Sequence, residues 1–160
     1  METLYFDVLQ FLYHLALALI VGGALVLGAA VAPAIFRGAR SRSEAGTTFG
    51  GILARFDQLA ILALVVLAVT SVLKFAGFED QSVGPRLIAR WAALLLLALA
   101  VLYGSVWSNP IARSLRSQTP GFDDLPDTSP ARREFTKLHR SSSRAMRLAV
   151  IAGLVAMFLS

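Results

Sequence analysis

The segment Trp91 to Ala112 constrains this chain more than any other. Its twenty-two consecutive residues carry no charge and are dominated by Leu, Ala and Val. A helix needs about 20 apolar residues to cross roughly 30 Å of hydrocarbon, so this one segment is long enough to span a bilayer. Val8 to Phe36 is uncharged apart from what His14 carries, Gln58 to Leu73 is uncharged, and Leu148 to Ser160 is almost wholly apolar. These stretches together predict an all-α integral membrane four-helix bundle.

The expected helices cover about residues 5–36, 42–78, 85–115 and 130–160, within one domain over 1–160. A chain of 160 residues leaves room for one bundle and no separate soluble domain. Boundary signals agree with these limits. Ser41 followed by Glu44 is a capping-box pattern. Gly84-Pro85 and Ser129-Pro130 each place proline where the first helical turn tolerates it. Thr119 to Pro130 (TPGFDDLPDTSP) packs three prolines and three aspartates into twelve residues, which predicts a water-exposed loop.

Charge then gives the expected topology. The loop after helix one and the segment between helices three and four carry twelve Lys and Arg against six acids, a net of +6. The opposite side holds Lys74, Arg86 and Arg90 against Glu2, Asp7, Glu79 and Asp80, a net of −1. The positive-inside rule makes the first side cytoplasmic and puts both termini outside. The fifteen cations against ten acids therefore serve orientation and do not signal nucleic-acid binding. The first charges are Glu2 and Asp7, where a cleavable signal would carry Lys or Arg, so the first apolar run is expected to stay as a spanning helix. Richness in alanine and arginine fits a bacterial source with a GC-rich genome, and hence the cytoplasmic (inner) membrane.

Helix two is longer than a bilayer requires. From Arg42 to Phe78 it would exceed about 50 Å at 1.5 Å per residue, so its first half is expected to be cytoplasmic and to meet the membrane near Asp57. Gly50-Gly51 offers a place to bend. Helix four has a similar excess, with its Arg-rich first half projecting into or beyond the headgroups.

Three features bear on function. Arg133, Lys137, Arg140, Arg144 and Arg147 are spaced 4, 3, 4 and 3 and share one helical face, a lipid or partner surface. They either snorkel to anionic headgroups or meet an acidic partner or a bound lipid headgroup, and the deepest two, Arg144 and Arg147, either snorkel or face a polar cleft. His14 and His139 are the chain's two histidines and are candidate cofactor ligands, since an intramembrane imidazole is a functional candidate by default. Asp7, Gln10 and His14 form a polar strip on helix one, and His139 is expected to look into the bundle. The two lie on the order of 20 Å apart along the membrane normal by helical rise, so they do not form a pair on one ligand. The alternative for each is a hydrogen-bonded interfacial histidine. The third feature is the repeat Ala24, Gly28, Ala32, with Gly22 and Gly23 just above, which suits close helix packing in lipid. Pro33 and Asn109-Pro110 loosen backbone near the cytoplasmic ends of helices one and three, where freed carbonyls could line a polar vestibule.

Some chemistry is excluded. With no cysteine, the chain has no disulfide, thiolate nucleophile or Cys-based metal site. No Ser-His-Asp or HExxH arrangement and no Gly-rich phosphate loop occurs, no metal site is expected, and no intramembrane Asp or Glu is expected to offer a proton relay.

Several residues taken in order resemble a known family. They are His14, Gly22-Gly23, Ala32-Pro33, Phe36, Ala45-Gly46 and Phe56, then Pro110-Ile111, Phe135, Leu138-His139 and Ser142. This pattern resembles the bacterial four-helix membrane proteins related to transmembrane protein 205, over most of the chain. A looser likeness exists to the copper-resistance D proteins and the HemJ-type protoporphyrinogen oxidases, which also place a His early in helix one. Ile20-Val21 replaces the tryptophan often seen before the glycines, and Met146 stands where the closer family usually has asparagine. The resemblance implies the four-helix fold, and the HemJ likeness implies haem association at His14.

The leading expectation is a non-catalytic membrane protein, an accessory or scaffolding subunit of a larger membrane complex. Its expected partners are anionic lipid and other membrane subunits, with no nucleic acid. The alternatives are a haem-, chlorin-type pigment- or copper-binding protein using His14, and a small transporter or resistance factor.

Overall fold

A computed structural model describes residues 2–79 and 84–160. Four helices form an all-α bundle: α1 (Thr3–Gly38), α2 (Arg42–Glu79), α3 (Pro85–Gln118) and α4 (Pro130–Phe158). Each is long and apolar enough to cross a membrane. All four expected helices are present, with ends within three residues of expectation. Asp80, counted above among the acids, lies outside the described residues.

The helix starts follow from local chemistry. Ser41 Oγ accepts the Glu44 backbone N–H at 3.1 Å, and the Glu44 carboxylate accepts the Arg40 N–H at 2.9 Å. The reciprocal bond of the capping box is thus shifted one residue outward. Ser129 Oγ accepts from the Arg132 N–H ahead of α4. At the other end of α4, Arg86 Nε donates to the Leu159 carbonyl at 3.2 Å, so the first turn of α3 satisfies the last turn of its neighbour. The α-helical hydrogen bonding of α2 runs from Arg42 to Lys74 without a break at Gly50-Gly51.

Two prolines leave a visible mark. Pro33 follows a π-helical turn over Leu27–Val31, and Pro110 follows another over Tyr103–Ser108. Proline lacks an N–H and its ring clashes with the carbonyl four residues back. A π-turn absorbs that conflict by admitting one extra residue into the winding. A third π-turn, Phe75–Glu79, ends α2.

α1 packs along α2 and α4, and α3 packs along α4, while α2 and α3 also meet around the π-turn of α3. The core between them is small and aliphatic: Leu17, Ile20, Ala60, Ala63, Leu67, Leu97, Val101, Ala149 and Ala152 are all buried. Glycine sets two close approaches. A Cβ on Gly153 would lie 2.4 Å from Val21 Cγ2, and one on Gly23 would lie 2.5 Å from the Phe56 ring. The outer surface is the reverse of a soluble protein's. Leu62, Val65, Val69, Leu95, Leu99 and Ile151 are exposed, a contiguous apolar belt that water would penalise and hydrocarbon would not.

Two polar layers bound the apolar core. One lies at the end that carries the termini, around Lys74 and Arg90; the other lies at the arginine-rich end, around Asp57 and Asn109. Asp57 and Lys74 are seventeen residues apart on α2, which separates the layers by about 25 Å.

The loop between α3 and α4 is more structured than its composition suggests. Phe122 is buried between the Arg116 and Arg132 guanidinium groups, 5.7 and 5.4 Å from its ring, and meets Phe135 edge-on. Asp123 accepts two hydrogen bonds from Arg116, at 2.8 and 2.9 Å. Gly121 turns the chain at φ +62°, where a side chain would be strained. The expected water-exposed loop is therefore anchored to the bundle by one aromatic ring.

Candidate functional site

The layer at the terminus-bearing end consists of Gln10 and Tyr13 on α1, Lys74 and Glu79 on α2, and Arg90 on α3. Lys74 is 1% exposed and donates to the Gln10 side-chain oxygen. Its ammonium lies 4.7 Å from the centroid of the fully buried Tyr13 ring and 3.8 Å from Glu79. Arg90, 4% exposed, forks onto both Glu79 oxygens. Tyr13 in turn donates its hydroxyl to the Ala156 carbonyl of α4 at 3.3 Å. All four helices are thereby joined by charged or polar bonds in a medium that makes such bonds strong and unpaired charges costly. Arg90 Nε has no partner among the described residues.

The layer at the arginine-rich end is centred on Asp57, which is 3% exposed. Asn109 Nδ2 donates to Asp57 Oδ1 at 2.9 Å, and Arg113 donates to Oδ2 at 2.8 Å. Ser142 of α4 donates to Asn109 Oδ1 at 2.6 Å, and Ser108 donates to the Leu138 carbonyl at 2.9 Å. Three helices share this chain of bonds, and Asn109 sits at its middle.

Asp57 corrects one expectation, that no carboxylate lies inside the bundle. It is buried at the depth where α2 was expected to meet the membrane, because the π-turn of α3 and Pro110 present Asn109 and Arg113 to it. Glu79 is likewise drawn into the bundle by Lys74 and Arg90.

Two hollows flank the Asp57 layer. One, of about 500 Å³, lies at the arginine-rich end between the Gly46–Gly50–Gly51 face of α2 and the loop, with Arg113 and Arg116 on its wall. The Arg116 guanidinium lies against Gly46, in the space that a Cβ there would take. The second, of about 650 Å³, is a cleft between α1 and α4, with Phe49 and Leu53 of α2 also in its lining. Leu25, Gly28, Val150 and Ile151 make its apolar walls, Asn109 and Ser142 its polar floor, and His139 and Arg147 its rim. Arg113 of the Asp57 layer thus lines the first hollow, and Asn109 and Ser142 line the second.

The predicted site residues fall in separate places. His14 Nδ1 donates to the Gln10 carbonyl at 2.9 Å, and Nε2 lies 2.9 Å from Ser160 Oγ, so both ring nitrogens are engaged. His139 does not look into the bundle as expected; it is exposed, stacked on Phe135 with the rings 2° from parallel, on the cleft rim. Phe135 and His139 are one turn apart, and their stacking turns the imidazole outward. His14, on α1, lies beside Ser160 just past the end of α4, whereas His139 lies in the first half of α4. Arg133, Lys137, Arg140, Arg144 and Arg147 are all exposed along one face of α4, and none of their side chains has a hydrogen-bond or ion-pair partner among the described residues. Of the small-residue repeat, Ala24 is buried in the core, Gly28 opens onto the cleft with nothing within 4 Å of a Cβ position, and Ala32 is half-buried. The π-turn between Ala24 and Ala32 rotates the helix and takes the three off a common face.

Lys74, Arg90, Tyr13, Asp57 and Asn109 carry the polar layers, and none was singled out from sequence as a site residue. One signal was present. Asp57 and Lys74 bracket the sixteen-residue uncharged run of α2, and Arg90 and Arg113 bracket that of α3. Charges at matched depths on adjacent helices are natural partners.

Residues 15–120 match the family described as a domain of unknown function, DUF4149. The match covers most of the chain, which belongs to that family. No curated protein and no solved structure matches the chain.

Proposed function

We propose that this is a non-catalytic membrane protein that works by docking, as an accessory or scaffolding subunit of a larger membrane assembly. The observation that carries this reading is the face of α4 on which five cations stand exposed with no hydrogen-bond or ion-pair partner among the described residues. Elsewhere the charged groups at buried positions bond one another across helices, which fastens the bundle. These five form no such bonds among the described residues. An acidic surface of a neighbouring subunit gives them a use, with electrostatic complementarity fixing partner and register.

The non-catalytic part of the proposal draws on the same contrast. Asp57 uses both oxygens on Asn109 and Arg113, and His14 uses both nitrogens on Gln10 and Ser160. A haem, pigment or copper ligand at His14 would have to displace Ser160, so the likeness to HemJ-type and copper-resistance proteins is not adopted as the function. The charge asymmetry supports an orientation with the arginine-rich end in the cytoplasm and both termini outside. A bacterial inner membrane fits that orientation.

The test is extraction of the native membrane into lipid nanodiscs, followed by sizing and cross-linking. The expected result is a particle larger than this chain alone, which falls apart when Arg133, Lys137, Arg140 and Arg144, the four cations outside the cleft, are all replaced by Gln. A wild-type protein that runs as a lone monomer overturns the proposal.

A further inference from the structure

We infer that the lateral cleft between α1 and α4 is a binding site for one anionic phospholipid of the surrounding bilayer, its phosphate held at Arg147 and His139 and one acyl chain lying over Gly28.

The cleft's position selects a lipid. Its mouth opens between exposed Leu25 of α1 and exposed Ile151 of α4, on the apolar belt that faces hydrocarbon. Its volume of about 650 Å³ falls in the range of small-molecule pockets, about 300–1,000 Å³. The hollow exists because the π-turn of α1 swings the helix at Gly28, and no neighbouring side chain fills the space left there.

The cleft's polar rim selects the charge. Arg147 lies five residues beyond Ser142 toward the core, about 8 Å deeper along α4 than the Asp57 layer. An exposed guanidinium at that depth on a lipid-facing wall needs either a snorkelling path or an anion drawn down to it. No carboxylate approaches Arg147 among the described residues, whereas Asp57, the nearest layer's carboxylate, is committed to Asn109 and Arg113. His139 stands about two turns away along α4 and also lines the cleft, with no hydrogen bond from its ring among the described residues. Ser142 spends its proton on Asn109, and Asn109 retains one amide hydrogen beyond the one given to Asp57. A phosphodiester is acceptor-only and monoanionic, and suits this set of donors. The inference goes beyond the docking proposal and does not depend on it.

The experiment uses the full-length protein, delipidated in mild detergent and titrated with phosphatidylglycerol or phosphatidylcholine of matched chains, read by native mass spectrometry. One phosphatidylglycerol should be retained at least tenfold more strongly than phosphatidylcholine. Arg147→Gln should abolish the preference, and Gly28→Leu, which fills open space, should lower retention of both lipids. Arg133→Gln, on the docking face but outside the cleft, should change neither. Equal retention of the two lipids by the wild type overturns the charge selection, and wild-type retention by Gly28→Leu overturns the site. The nanodisc sizing of the wild type reads the docking proposal separately, so either idea can fail alone.

Discussion

Asn109 holds Asp57 from α3 at 2.9 Å, and the same side chain accepts Ser142 from α4 at 2.6 Å. One amide therefore satisfies two buried groups on two other helices and spends both its oxygen and its nitrogen doing so. A residue in that position is hard to replace, because every substitute strands at least one partner.

Removing Asp57 should be the costlier change in that layer. Asp57→Ala leaves the Asn109 amide and the Arg113 guanidinium without their acceptor, at a cost of about 3 kcal/mol for a broken buried pair. Arg113→Ala should cost only about 1 kcal/mol, since Arg113 is one-third exposed and water can replace it. Thermal unfolding of the two variants in the same detergent gives the ranking. Equal losses would mean that the bond to Asn109 contributes little.

The opposite layer should respond asymmetrically. Lys74→Met removes one of two buried cations but leaves Glu79 paired with Arg90, so no buried charge is stranded and the loss should be small. Glu79→Gln leaves Lys74 and Arg90 facing each other across a neutral group and should cost about 3 kcal/mol. Midpoints of thermal unfolding distinguish the two. A Lys74→Met variant as damaged as Glu79→Gln would show that both cations are needed.

Gly153→Ala should destabilise the bundle by about 2 kcal/mol, the usual scale of overpacking. The added methyl meets Val21, whose short branched side chain cannot swing aside, and Leu97 at 3.0 Å. Gly28→Ala, tested in parallel, should leave the unfolding midpoint unchanged because its Cβ meets nothing within 4 Å. A loss at Gly28 equal to that at Gly153 would argue against the open cleft.

Phe122→Ala should release the loop between α3 and α4 without unfolding the helices. The ring is the loop's buried anchor, and its loss leaves the Arg116–Asp123 and Arg132–Asp127 pairs, of which the second is largely exposed. Limited trypsin digestion should then cut near Arg116 and Arg132 several times faster than in the wild type. An unchanged digestion rate would mean that the ion pairs alone hold the loop.

The fold was legible because bilayer-length apolar runs admit few solutions, and Trp91 to Ala112 has only one. Ser41, Pro85 and Pro130 marked helix starts within a residue, since capping depends on neighbours in sequence. The polar layers were not legible. Lys74 and Glu79 lie close in sequence, but their partner Arg90 comes from another helix, and its rotation about the helix axis decides the pairing. The repeat Ala24, Gly28, Ala32 misled for a related reason. It assumes an unbroken 3.6-residue winding, and the π-turn before Pro33 interrupts that winding between its members.

The spacing of the two polar layers acts as a ruler for the host membrane. About 25 Å of helical rise between Asp57 and Lys74 is close to the roughly 27 Å hydrocarbon thickness of a thin bilayer and well short of the roughly 32 Å of a sterol-rich one. In the thicker membrane the ends of α2 and α4 would be drawn into acyl chains, together with the arginines on their outer faces, and the helices could not lengthen to compensate. The cost of hydrophobic mismatch is what the spacing of these two layers sets.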